Sequence, residues 1–368
     1  MKQIHKRILK EIGLKARESD LKAWAVGGFA RDTLIGKNTE DIDICVEGDT
    51  SPLIKFCAEK YGADVVRFND FATARVNLSC GLKLDFVRCR AEVYDKPGAL
   101  PKVRPAGLKE DLFRRDFTAN ALALSIMPDE FFKEYDFFNS EEAVLKGYIK
   151  VLHDKSFLDD PTRLFRAVRF AARFNWSIET STERLMREAV EKGYVNFISR
   201  QRAAHEFIKI LAESRPYQAL KCAAEYKLVD FVFTGLKLNP KINNLKTIEE
   251  KLAYLSLLQG ERGFEFLDSL LLPKKDTALA LETLKWRKSK AAPSKLLSKN
   301  ALRIIRLYKP AIEDFKLKPL LLSAADLNEL GYEGPALGAK LKALAKAQYA
   351  GKIKTRRAAF LYVKKTGF

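Results

Sequence analysis

The patterns that build zinc sites and disulfide frameworks are missing from this 368-residue chain, which has three histidines and five cysteines. Cys45, Cys57, Cys80, Cys89 and Cys222 are odd in number and contain no Cys-x-x-Cys pair. They read as reduced core thiols of a cytoplasmic protein and argue against zinc. No apolar run approaches the roughly twenty residues that span a bilayer, so no membrane partner is expected. The stretch Met1 to Lys15 is a basic amphipathic helix candidate without the apolar centre of a signal peptide. Neither a low-complexity tract nor a reliable internal repeat is present.

Acid is scarce as well. Asp and Glu number 47 against 66 Lys and Arg, a formal charge of +19 and a pI near 9.6. That balance favours a polyanionic partner, through phosphate neutralisation and counterion release. From Lys237 onward the basic residues exceed the acidic ones by about fifteen, which is most of the surplus and marks the C-terminal part as the polyanion grip. A hydrophobic fraction of 47% is ordinary for a globular chain long enough for more than one domain.

Against this background one run stands out: Ala25-Val26-Gly27-Gly28-Phe29-Ala30-Arg31-Asp32, then Glu40-Asp41-Ile42-Asp43-Ile44-Cys45-Val46. In a strand, residues two apart share a face, so Asp41 and Asp43 project together while Ile42, Ile44 and Val46 face a core. Two hard carboxylates on one rigid face suit Mg2+ held jointly with substrate phosphates. Gly27-Gly28 lets backbone amides approach a ligand ahead of a helix starting near Phe29 to Arg31, a turn able to cradle a triphosphate. Alone, an Asp-x-Asp spacing or a Gly-Gly turn is weak; their order gives them weight.

Further on, the pattern predicts a helix near Pro52 to Tyr61 and strands at Asp64 to Arg67, Ala74 to Ser79 and Leu82 to Arg90. Ser79-Cys80-Gly81 turns the last two into a hairpin. Asp85 falls on the face opposite Leu84 and Phe86, a candidate third carboxylate beside Asp41 and Asp43. Between Ala91 and Leu108 the prolines and glycines argue against a regular element, and the segment reads as a gate. Beyond Glu141 the chain reads as helical without strands, with amphipathic stretches at Asp159 to Phe174, Thr182 to Gly193, Arg200 to Glu213 and Ile248 to Leu258.

Asp160-Pro161 opens a helix well, Asp as N-cap and Pro at the first helical position. Arg163, Arg166, Arg169 and Arg173 then form a cationic stripe backed by an apolar one. Asp160 and Arg163, three apart, share a helical turn. An acceptor beside a donor matches the amino group and ring nitrogen of cytosine or adenine, whereas guanine and uracil leave both side chains unpaired.

With Arg114-Arg115-Asp116-Phe117-Thr118-Ala119-Asn120 and Asp159-Asp160-Pro161-Thr162-Arg163 following the glycine turn and the Asp-x-Asp strand, the chain resembles bacterial class II tRNA nucleotidyltransferases, the CCA-adding enzymes of the poly(A) polymerase family. Gly334-Pro335-Ala336-Leu337-Gly338 is similar to the family's tail pattern. The resemblance implies an α+β fold: a catalytic head with a small mixed sheet (residues 1–138), a helical neck carrying the nucleobase-recognition helix (139–200), a helical body (201–275) and a basic helical tail that binds tRNA (276–368). It implies that Asp41 and Asp43 hold two Mg2+ ions, with Asp85 as a further catalytic carboxylate. Gly27, Gly28, Arg31 and Asp32 lie near the triphosphate. Arg114, Arg115, Asp116 and Asn120 bind ribose and phosphates, Asp160 with Arg163 reads the base, and Arg166 with Arg169 assists on the nucleotide and primer side. Where the family has Glu-Arg followed by a later Glu, this chain has Gln201-Arg202 and then Glu206.

The implied partners are the tRNA acceptor end, with CTP and ATP as substrates, and the implied activity is CCA addition. An A-adding or poly(A)-making member of the same family is the alternative. The uninterrupted segment from Ala91 to Leu108 speaks against CC-only addition. A non-catalytic RNA-binding protein would have a damaged acidic pair or glycine turn, and a small-molecule nucleotidyltransferase leaves the basic C-terminal part without a task.

Overall fold

The computed structural model describes residues 2–68, 73–289, 297–309, 320–349 and 352–365. The chain divides into two compact units, one of residues 1–206 with 222–228 and one of residues 207–221 with 229–368. The four-part division into head, neck, body and tail is finer than this and stands as our proposal.

The first unit opens with α1 (Gln3–Glu18), β1 (Lys22–Val26), α2 (Gly28–Leu34), β2 (Asp41–Glu47) and α3 (Ser51–Tyr61). β3 (Asp64–Phe68), β4 (Thr73–Asn77), β5 (Lys83–Arg88), β6 (Arg90–Val93) and β7 (Lys102–Pro105) follow. Then come α4 (Leu108–Phe113), β8 (Leu122–Ser125), β9 (Glu134–Asp136), α5 (Ser140–Lys146), β10 (Tyr148–Ile149), α6 (Ser156–Asp159), α7 (Thr162–Phe174), β11 (Ser177–Ile178) and α8 (Thr180–Glu191). α9 (Arg200–Ala212) and α10 (Pro216–Glu225) each contribute residues to both units.

Seven strands make one mixed sheet in the order β3-β4-β5-β2-β1-β8-β9, in which β2 and β5 are parallel and the other neighbours antiparallel. The alternation of β2 sorts its side chains as expected. Ile42, Ile44 and Val46 enter a core with Ile8, Leu9 and Ile12 of α1 and Leu53, Ile54 and Cys57 of α3. Cys45 faces the other way, with Trp24, Val26, Cys89, Leu108 and Leu112, so α4 covers part of the face that carries Asp41 and Asp43. β4 and β5 form the expected hairpin through Ser79-Cys80-Gly81.

Two expectations are corrected. Residues 91–108 are not free of regular structure: β6 and β7 pair antiparallel, Arg90 opposite Pro105 and Val93 opposite Lys102. Among the described residues the ribbon pairs with no other strand, and Pro105 sits at its end, where a missing N–H costs no ladder bond. The chain beyond Glu141 also holds strands, since β10 and β11 pair in parallel. At two residues each they are too short to show alternation.

The second unit is helical throughout its described residues, with α11 (Ile248–Leu258), α12 (Gly263–Ser269), α13 (Lys274–Ser289), α14 (Lys299–Tyr308), α15 (Ala324–Asn328), α16 (Gly334–Tyr349) and α17 (Arg356–Lys365). α11 starts at a reciprocal capping box between Thr247 and Glu250. Its buried Lys251 donates to the carbonyls of Leu211 (2.7 Å) and Glu213 (2.9 Å), which satisfies acceptors at the end of α9. A smaller core of Leu322, Leu327, Tyr332, Leu344, Ile353 and Val363 joins α15, α16 and α17. No helix among the described residues is long and apolar enough to cross a membrane.

Candidate active site

The site is assembled around β2. Strand register sets Val26 opposite Asp43 on one side and Asp85 opposite Asp43 on the other. Gly27 therefore turns beside Asp43, at φ +68°. A Cβ on Gly27 would lie 2.7 Å from Arg115 Nη1 and 3.4 Å from Asp43 Oδ2, so the positive φ favours glycine and any side chain here would displace the Arg115 guanidinium. α2 begins at Gly28, as the glycine turn implied.

Burial pushes the Asp43 carboxyl above its ordinary range, with like-charge repulsion from Asp85 and Asp41 adding to it and Arg115 opposing it. Asp41 is exposed on the same face. Among the described residues no group of three or more His, Cys, Asp or Glu gathers to hold an ion. Two carboxylates that rely on substrate phosphates for the remaining ligands are how Mg2+ is commonly held. Asp85 is half-buried and taken by Arg75, which donates to both its oxygens, Nε to Oδ1 at 2.8 Å and Nη2 to Oδ2 at 2.6 Å.

Arg114 and Arg115 are held from below by Asp111, a fully buried residue of α4. Arg114 gives Nε and Nη2 to Asp111 Oδ1 (2.9 and 2.6 Å) and Nη1 to Glu92 Oε1 (3.2 Å), while Arg115 Nη2 reaches Asp111 Oδ2 (3.0 Å). Burial alone would raise the Asp111 carboxyl, but the two guanidinium groups bring it below the usual range. Arg115 Nε is buried without a hydrogen-bond partner among the described residues, a donor left for a ligand oxygen. With Arg90, these arginines and Asp43 line a cleft of about 200 Å³. Cation and carboxylate together in one cleft suit a metal-bound polyphosphate.

A second polar chain links the remaining residues. Asp116 is buried; its Oδ2 accepts Arg166 Nε (2.8 Å) and Nη2 (2.5 Å), and its Oδ1 accepts the Asn120 amide (2.9 Å) and the Phe117 N–H (2.9 Å). Asn120 Oδ1 accepts Arg31 Nη1 (2.5 Å), and Arg31 Nε and Nη2 donate to Asp32 Oδ1 (2.9 and 2.7 Å). Arg31 also lies 4.5 Å from the Phe174 ring centroid, a cation–π contact with α7. Five of the residues singled out in the sequence thus form one continuous network.

α7 begins one residue later than expected, with Pro161 rather than Asp160 at its N-cap position, and Asp160 Oδ1 accepts the Thr162 N–H at 3.1 Å from just before it. The arginine stripe is not a surface feature. Arg163 and Arg169 are buried and Arg166 is half-buried, while Arg173 is exposed. The side chains of Asp160 and Arg163 do not bond each other, although the Arg163 N–H donates to the Asp160 carbonyl (3.0 Å): Arg163 gives Nη1 to Ser156 Oγ (2.7 Å) and Nη2 to the Arg114 carbonyl (2.7 Å). Both terminal nitrogens of Arg163 are therefore engaged within the protein. Asp111, Glu92 and Arg75 were not singled out from the sequence. Asp111 alone had a local signal, three and four residues before the two arginines in a helical segment.

Two family models match the chain, the poly(A) polymerase head domain over residues 23–150 and the probable RNA and SrmB-binding site of polymerase A over residues 175–239. The A-adding tRNA nucleotidyltransferase of Aquifex aeolicus is 36% identical over 314 residues, 79% of this chain and 38% of that protein. The CC-adding tRNA nucleotidyltransferase of Deinococcus radiodurans is 34% identical over 202 residues, 55% of this chain and 53% of that protein. The chain thus spans from little more than a third to about half the length of these curated relatives. A solved structure of a tRNA-processing enzyme superposes with a TM-score of 0.69 at 31% identity, covering 92% of this chain and 100% of that one. The chain belongs to the tRNA nucleotidyltransferases of the poly(A) polymerase family.

Proposed function

We propose that this protein adds CCA to the 3' end of tRNA without a nucleic-acid template, using CTP and ATP. The observation that carries the reading is the placement of Asp41 and Asp43 on one strand face beside the Gly27 turn and the arginine-lined cleft. The tRNA 3'-hydroxyl attacks the α-phosphate, a new P–O bond forms, and pyrophosphate leaves with its bonding electrons. Mg2+ held by Asp41 and Asp43, with two ions expected, supplies charge neutralisation at the phosphates and a more acidic attacking hydroxyl. The chain's own part is to cradle the polyphosphate at Gly27-Gly28, to pair its oxygens with Arg114 and Arg115, and to offer Asp160 and Arg163 to the base. The Arg31–Asn120–Asp116–Arg166 network holds the turn and α7 in fixed relation, which reduces the reorganisation needed when charge develops. The basic second unit suits the tRNA phosphates.

A-only addition is the second reading, favoured by the name of the Aquifex aeolicus relative. The deciding experiment is primer extension with Mg2+ on tRNA transcripts ending before CCA, after C and after CC, each offered CTP, ATP or both. Ordered completion of all three supports CCA addition, and extension of the CC-ended transcript alone supports the A-only reading. No incorporation anywhere overturns both. Asp41→Ala and Asp43→Ala are expected to abolish incorporation while tRNA retention in a gel-shift assay persists.

A further inference from the structure

Arg202, in the first turn of α9, has its two terminal nitrogens on two different parts of the first unit. Nη1 donates to the Gly98 carbonyl at 2.6 Å and Nη2 to Asp160 Oδ1 at 3.0 Å. Gly98 lies between β6 and β7, at φ +67°, and its N–H donates to the Leu158 carbonyl at 3.2 Å. A Cβ at this position would stand 2.7 Å from the Phe197 carbonyl oxygen, so the ribbon fits here because the residue is glycine.

The bonds of Asp160 are lopsided. Thr162 N–H (3.1 Å), Thr162 Oγ1 (2.7 Å) and Arg202 Nη2 (3.0 Å) all donate to Oδ1, and among the described residues none donates to Oδ2. Three donors on one oxygen fix the plane of the carboxylate and leave the other oxygen as an acceptor in a set place. The exocyclic amino group of adenine or cytosine donates to such an acceptor. Guanine O6 and uracil O4 would face it with a lone pair, which is the kind of mismatch a rigid polar site rejects strongly. Rejection depends on the carboxylate being unable to turn.

We infer that Arg202 is a specificity-determining positioning residue: by tying Asp160 Oδ1 to the Gly98 carbonyl it fixes the acceptor that admits adenine and cytosine and turns away guanine and uracil. The inference rests on the tRNA nucleotidyl-transfer reading above. Arg202 does not meet the nucleotide; it acts through Asp160. Lysine keeps the charge but lacks the planar fork that spans two acceptors, so it substitutes incompletely.

The test uses the full chain and the CC-ended tRNA transcript, since A addition is common to both functional readings, and compares ATP with GTP by kcat/KM and by calorimetric binding without tRNA. Arg202→Ala is expected to lower the ATP preference by roughly 10- to 100-fold, chiefly through a weaker KM for ATP, with Arg202→Lys between it and the wild type. Gly98→Ala shifts the ratio in the same direction. A wild-type ratio in both Arg202 variants overturns the inference, as does an equal loss of kcat for both nucleotides with the preference intact. If Arg202→Ala does not fold, Arg202→Lys and Gly98→Ala decide by the same ratio. A wild-type protein that inserts neither nucleotide overturns the functional reading itself, and this inference with it.

Discussion

Arg166 donates through Nε (2.8 Å) and Nη2 (2.5 Å) to a single oxygen of Asp116, a residue 50 positions earlier in the chain. The bond ties α7 to the segment that holds Asn120 and, through it, Arg31 at the glycine turn. Burial alone would raise the Asp116 carboxyl, but Arg166 and the Asn120 amide bring it to about 2. A carboxyl whose folded value lies below its unfolded one stabilises fully above the unfolded value, near pH 4, and loses that stabilisation as pH falls through about 2. The contribution is about 2 kcal/mol. Urea denaturation of wild type and Asp116→Asn should therefore show a stability gap that widens between pH 2 and pH 5 and is flat above. A gap of constant size would remove the ion pair as its cause.

Gly27→Ala tests the turn. The substitution forces an L side chain into a positive φ and sets a Cβ 2.7 Å from Arg115 Nη1. The expected destabilisation is about 1–3 kcal/mol, and because Arg115 must move away from Asp43, the KM for nucleotide should rise as well. Thermal melting and nucleotide kinetics read the two effects separately. A stable variant with unchanged KM would show that the close approach has no role in binding.

What could be seen in the sequence was what local geometry determines. Asp41 and Asp43 declared themselves because alternation in a strand needs no knowledge of the rest of the fold, and Asp160 did so through the Asp-Pro signal of a helix start, although Pro161 takes the N-cap position itself. Asp116 and Asn120 were legible as a family motif, but their joining to Arg31 and Arg166 depends on tertiary placement 89 and 50 residues away. The hairpin at 90–105 was hidden by its prolines, which a two-stranded ribbon tolerates. Arg202 stood in the Gln201-Arg202 pattern and Gly98 among the glycines of residues 91–108, but their bond, 104 residues apart, is tertiary and left no local mark.

Asp111 is the common support of Arg114 and Arg115, and its side chain is fully buried. Asp111→Ala leaves two guanidinium groups without their carboxylate, which typically costs about 3–5 kcal/mol for a buried pair. Asp111→Asn retains the shape and one acceptor oxygen and should cost less. Both variants should weaken nucleotide binding more than tRNA binding, measured by calorimetry and gel shift, because the arginines they release line the cleft beside Asp43. Equal weakening of both ligands would point instead to a general loss of the fold.

Asp85 lies opposite Asp43 in the β2–β5 register, yet both its oxygens are held by Arg75. A carboxylate in a bidentate pair has lost most of its capacity to bind a cation directly, so its weight here falls on orienting Arg75 and on the charge around Asp43. The expected order follows from that. Asp85→Asn should reduce incorporation by roughly tenfold, whereas Asp41→Asn and Asp43→Asn, which remove the proposed metal ligands, should reduce it by more than a thousandfold. The Mg2+ concentration giving half-maximal rate should move little in Asp85→Asn. Arg75→Ala separates the two possibilities further: with Asp85 released beside Asp43, the half-maximal Mg2+ concentration should fall, because a third carboxylate becomes available to the ion. An Asp85→Asn protein as inactive as the Asp43 variant, with its Mg2+ requirement raised many-fold, would make Asp85 a metal ligand that leaves Arg75 when the nucleotide arrives.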